Sequence, residues 1–199
     1  MIGAVVQNVI GGFLQPRASV RRILDGGHGF DVVILMVLLA ILTREIFILI
    51  FIGGRSDAFG LTLALHVQAL VTGMISFLFM SALVFGIGRV FGGTGSWREA
   101  NLAMAWYLLV ISVVVPLVLP AVIHVTEVVD AAGDDPVASV DIPAKLMVMF
   151  TVASGVILWL FACYIAELHR FASAWSVLAV MLGLLLALAV IVTVLAPPV

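Results

Sequence analysis

The sequence predicts an all-α polytopic membrane protein, with five transmembrane helices preceded by an N-terminal amphipathic interfacial helical segment. Three observations carry that prediction. The first is composition: 64% of the 199 residues are hydrophobic, 10% are charged, and the mean hydropathy is +1.33. Soluble domains run about 45–50% apolar and about 25% charged, so a core of this size cannot hide the excess and lipid must cover it. The second is that the apolar residues fall in long runs, each able to cross about 30 Å of hydrocarbon. The third is charge placement. Five spans put Arg17, Arg21, Arg22, Arg89, Arg98 and Arg170 on one side, against Arg55 and Lys145 on the other. That split follows the positive-inside rule, so the N-terminus is expected in the cytoplasm and the C-terminus outside.

Residues 1–30 read as a cytoplasmic, interfacial segment and residues 31–195 as the membrane domain. In the first, Val5, Val6, Val9, Ile10 and Phe13 recur at helical spacing. No basic stretch precedes them and no small-residue cleavage site follows, which argues against a signal peptide. Pro16 suits the first turn of a second short helix. Val20, Ile23 and Leu24 form its apolar stripe and Arg17, Arg21 and Arg22 its cationic edge, a pattern suited to the headgroup layer or to packing on the bundle. Asp25-Gly26-Gly27 ends it.

The first span is expected at about 31–52, with Asp31 as its N-cap. The second runs about 62–88, and the third about 97–123 with a kink or early end at Pro116 and Pro120. The fourth runs about 143–168 and the fifth about 173–195. Between the second and third lies the stretch GIGRVFGGTGSWRE, residues 86–99. Ser96 and Glu99 match the capping-box pattern S-x-x-E before an apolar run. Gly92, Gly93, Gly95, Ser96, Arg98 and Glu99 therefore read as a cytoplasmic turn motif. Small residues four apart let helices approach closely in lipid, which marks Gly86 and the run Ala179, Gly183 and Ala187 as packing positions. Residues 124–141 form an acidic loop without a basic residue.

Chemistry is sparse. Arg44 and Glu45 interrupt the first span and form a candidate buried charge site, because intramembrane charges are costly. They could hold an ion, a proton or a ligand; alternatively Arg44 snorkels to the interface and Glu45 faces the bundle or pairs locally. Adjacent helical residues point about 100° apart, so the two need not pair with each other. The glycines at 86–95 do not make a nucleotide loop, since Phe91 stands where G-x-G-x-x-G needs its last glycine. Gly95-Ser96-Trp97 is not a nucleophile elbow, because Arg98 occupies the final glycine position. His66 and His124, with Glu127 nearby, could meet as metal or haem ligands, but no second ligand set accompanies them. Cys163 has no second thiol for a disulfide. Glu167, His169 and Arg170 could form a charge cluster with Arg89, Arg98 and Glu99, or simply an interfacial charge belt. No catalytic residue, metal or cofactor is expected, and the net charge of −2 leaves no basic footprint for nucleic acid.

Three stretches resemble the Yip-domain family, the Ypt/Rab-interacting membrane proteins and their bacterial relatives. Pro16-Arg17 with Arg21-Arg22-Ile23-Leu24 is similar to the family's entry helix. Residues 92–99, then Ala105-Trp106-Tyr107 and Pro116, resemble its central glycine turn and following span. Trp159, then Leu168-His169-Arg170-Phe171 and Trp175, resemble its penultimate span and turn. The resemblance implies five helices, a cytoplasmic N-terminus and no catalytic residues; eukaryotic members are associated with vesicle traffic and small GTPases. Arg44-Glu45 lies outside the family pattern. The expected function is that of a non-enzymatic inner-membrane protein of bacterial type. It would contact the lipid bilayer and bind a membrane-protein partner or a second copy through its packing faces and cytoplasmic turns. The alternatives are an accessory subunit of a larger membrane complex, or a small transporter using Arg44 and Glu45.

Overall fold

The structure, a computed structural model, describes residues 2–52, 62–114, 116, 118–120, 122–124 and 143–195. The described residues contain no strand. The helices are α1 (Ile2–Leu14), α2 (Pro16–Asp25), α3 (Phe30–Ile52), α4 (Thr62–Val90), α5 (Trp97–Ser112), α6 (Ala144–Leu168) and α7 (Ala174–Leu195). The 53–61 turn and the acidic stretch 125–142, with Glu127, lie outside the described residues.

Among the described residues, three stretches are long and apolar enough to cross a membrane: His66–Val90, Ala144–Leu168 and Ala174–Val194. These make the chain an integral membrane protein. The expected first and third spans differ from them for visible reasons. Helix α3 carries Asp31, Arg44 and Glu45, and α5 has 16 residues, about 24 Å at ~1.5 Å per residue. The early end of α5 has a steric cause. Pro116 lacks an N–H, and its ring would meet the carbonyl four residues back, which is Ser112, the last residue of the helix. Helical geometry resumes at residues 116, 118–120 and 122–124. The start of α3 also departs from expectation: the helix opens at Phe30, so Asp31 sits inside its first turn rather than at the cap.

Helix α5 is the centre of the molecule and touches α1, α2, α3, α4 and α6. Small side chains make this possible, with Ala100, Ala103 and Ala105 fully buried beside Met104, Trp106 and Val110. Val33, Met36, Val37 and Ala40 of α3 pack against it, with Phe77 and Val84 of α4 and Leu160 and Tyr164 of α6 in the same core. Helix α2 joins this core through Val20 and Ile23, so its apolar stripe packs on the bundle. Helix α7 lies against α6 and leaves the rest of its surface exposed, as lipid-facing helices do.

Candidate functional site

The ends of α4 and α6, the start of α5 and the whole of α2 meet at one end of the bundle. Two helix terminations interlock there. Helix α4 ends in a Schellman motif: Gly92 N–H donates to the Arg89 carbonyl at 3.0 Å and Gly93 N–H to the Gly88 carbonyl at 2.8 Å. Gly92 takes the left-handed conformation (φ +79°) that this motif needs. Helix α6 ends the same way, with Arg170 N–H donating to Glu167 at 3.2 Å and Phe171 N–H to Ala166 at 2.7 Å. Here the left-handed residue is Arg170, at φ +58°, where a side chain costs about 1–2 kcal/mol.

His169 joins the two motifs. Its ring is 2% exposed and its Nε2 lies 3.1 Å from the Val84 carbonyl, so Nε2 is the protonated nitrogen that donates. A Cβ on Gly88 or Gly93 would run into this imidazole, so the two glycines are the notch that admits it. Thr94 N–H reaches the His169 carbonyl at 3.4 Å, and Gly95 lies against the Leu168 carbonyl. Burial lowers the His169 pKa from its ordinary value and keeps the ring neutral. The start of α5 is closed by the reciprocal capping box, with Glu99 N–H to Ser96 Oγ at 3.2 Å and Ser96 N–H to Glu99 Oε2 at 2.7 Å. Arg98 Nη2 donates to the carbonyls of Gly27 (3.3 Å) and His28 (2.9 Å), tying α5 to the end of α2.

Glu167 is the buried charge of this end, 7% exposed. Arg17 Nε donates to Oε2 at 3.0 Å and Arg21 Nε to Oε1 at 2.6 Å, so each oxygen has its own guanidinium. Arg17 also donates to the carbonyls of Phe171 (3.0 Å) and Ala172 (3.1 Å), the peptide groups just past α6. The hydrogen bond and charge of Glu167 hold Arg21 above its ordinary pKa. Arg17, Arg21, Asp25, Glu99, Glu167 and Arg170 line an open cleft of about 440 Å³. Of the six residues Glu167, His169, Arg170, Arg89, Arg98 and Glu99, the structure brings Glu99, Glu167 and Arg170 to one cleft, and each of the six has contacts of its own. Glu167 turns to α2, His169 is a neutral wedge, Arg98 binds carbonyls and Glu99 serves the cap. Arg89 spans Gly93 and the Phe85 ring, 5.7 Å from the centroid. Arg17 and Arg21 lie about 150 residues from Glu167 in sequence, and only an i, i+4 spacing on a basic helix edge marked them.

A second charged group stands toward the other end. Arg44 donates through Nε (3.2 Å) and Nη2 (3.0 Å) to Glu45 Oε1, so the neighbours pair directly. His66 Nδ1 lies 3.4 Å from Glu45 Oε2. Arg44 is 40% exposed and Glu45 15%. The described residues contain no cluster of three or more metal-ligating side chains. Gly86, Ala179, Gly183 and Ala187 are exposed, and Gly86 and Gly183 look onto open space. Within the chain, Gly12 lies against Val110 and Gly73 against Ile41, while Gly88 and Gly93 admit the His169 ring.

These features, the glycine turn against the end of α6 and the basic α2 against both, cover nearly the whole chain. The model of the Yip1 domain matches residues 10–196. No curated protein and no solved structure matches the chain. The match takes in α2, both interlocked turns and every long apolar helix, and the chain belongs to the Yip1 domain family.

Proposed function

We propose that this protein is a non-enzymatic, five-span membrane protein that docks a partner membrane protein at the charged cleft between α2 and the two turns. Arg170 carries the reading. A glycine would hold its left-handed conformation without cost, yet an arginine stands there and lines the cleft. Strain kept at an exposed charged position points to use of the side chain. The cleft offers guanidinium and carboxylate groups side by side, which suits a polypeptide carrying both charges. The basic residues gather on this side, so the cleft and the N-terminus face the cytoplasm, with the bacterial cytoplasmic membrane as the setting. Residues 1–30 form the interfacial unit and residues 31–195 the spanning unit, with α3 and the α5 segment supplying the first and third spans.

Arg170→Gly separates docking from folding. Native mass spectrometry of wild-type protein extracted in gentle detergent should show a stoichiometric membrane-protein partner. The variant should lack it while melting at the same temperature or slightly higher. Unchanged partner content in the variant would overturn the reading. A periplasmic reporter fused after Val199 should be active; cytoplasmic activity would reverse the topology.

A further inference from the structure

The second charged group borders a cavity that docking does not use. It measures about 190 Å³ and lies between α3, α4 and α5. Arg44, Thr72, Ser76 and Ser112 line it together with apolar residues including Ile41 and Phe77. That volume suits a small ion with a few waters, below the roughly 300–1,000 Å³ of drug-sized sites.

The hydroxyls of the long helices divide into two kinds. A hydroxyl in a lipid-embedded helix ordinarily bonds back to its own backbone. Thr151 does so to Met147 and Thr193 to Ala189, each at 2.8 Å. Ser112 donates to Leu109 at 2.7 Å. Thr72 and Ser76 make no hydrogen bond among the described residues. They stand four apart on α4, on one face of that helix, and both line this cavity.

Arg44 is also only partly used. Glu45 takes Nε and Nη2 through one oxygen, and Nη1 donates to nothing among the described residues. Glu45 itself is held from a second side by His66. Three carbonyls near the α5 end already have donors. The Leu109 carbonyl accepts from Ser112, Val110 from Val113 N–H and Ile111 from Val114 N–H. A partly exposed cation with free N–H groups and two exposed hydroxyl donors thus line one small cavity, where hydrogen bonds to charge are stronger than neutral ones.

We propose that Arg44, Thr72 and Ser76 form a site for one small anion, either a free halide-sized ion or the phosphate oxygens of a lipid headgroup. The test uses the full chain in dodecyl maltoside micelles, which carry no phosphate, with bromide replacing gluconate at constant ionic strength and thermal unfolding as the readout. Bromide should raise the melting temperature saturably, and R44Q should abolish the rise. T72V/S76A should weaken the apparent affinity by about tenfold, as expected for lost hydrogen bonds to a charge. Phosphatidylglycerol added to the micelles separates the sources. A rise with that lipid, lost in R44Q and with no response to bromide, assigns the anion to the headgroup. The proposal fails if neither bromide nor phosphatidylglycerol shifts the wild type more than R44Q. Should R44Q not fold, T72V/S76A decides, since those hydroxyls hold no hydrogen bond among the described residues; a response equal to wild type in both arms overturns the site.

Discussion

The two charged regions of this molecule solve the same problem differently. At the turn end, Glu167 is 7% exposed and each of its oxygens is met by an arginine from a helix far away in sequence. At the other end, Arg44 is 40% exposed and pairs with its immediate neighbour. The first network fastens α2 to the end of α6 and holds a buried carboxylate that would otherwise stand alone. The second joins neighbours on one helix, with the longer His66–Glu45 contact of 3.4 Å as its link to α4, and it borders a cavity. A charge inside a membrane protein can thus be a lock or a site. The distinction lies in whether its partners come from separate elements and use all its donors.

The comparison is tested most severely at the lock. Gly88→Val would place side-chain atoms where the His169 ring lies, and Gly93→Ala would do the same from the other side. Each should destabilise by about 3 kcal/mol through overpacking against a ring fixed by a hydrogen bond, read as a lowered melting temperature in detergent. Gly86→Val is the control, because that position looks onto open space, and should change little. Glu167→Ala comes next, at about 2 kcal/mol. The value is reduced from that of a fully buried pair because Arg17 and Arg21 are 37% and 66% exposed and solvent screens them. Arg44→Gln, by contrast, should cost well under this if the pair is not a lock; equal losses would erase the distinction. Ser96→Ala removes one half of the capping box and should cost about 1 kcal/mol.

The smallest effect is the pH dependence of the His169 wedge. Its folded pKa lies below the ordinary 6.5, so the unfolded chain binds the proton first as pH falls. Stability from this residue is therefore complete above about pH 7 and declines as pH drops through 6.5 toward the folded value. Arg89 opposes protonation and Glu99 favours it, so both belong to the titration. The melting temperature of the wild type should fall between pH 7 and 5 more steeply than that of His169→Gln. Parallel slopes would remove His169 from the account.

Much of the architecture was legible in the chain itself because it depends on neighbours in sequence. The apolar runs predicted five spans, of which three stand among the described residues as helices long and apolar enough to cross a membrane, and Ser96 and Glu99 predicted a cap that spans four residues. Pro116 predicted the end of α5 through a clash with the carbonyl four residues back. Periodicity and capping act over one or two turns, where chain connectivity already fixes which groups meet. The tertiary structure decided the rest. It showed that α2 belongs to Glu167, that His169 is a neutral wedge between glycines, and that Arg170 bears left-handed strain. It also turned Arg44, Thr72 and Ser76 toward one cavity. These contacts join residues from separate helices, and a helix's pattern records which face is apolar without recording which partner that face will meet.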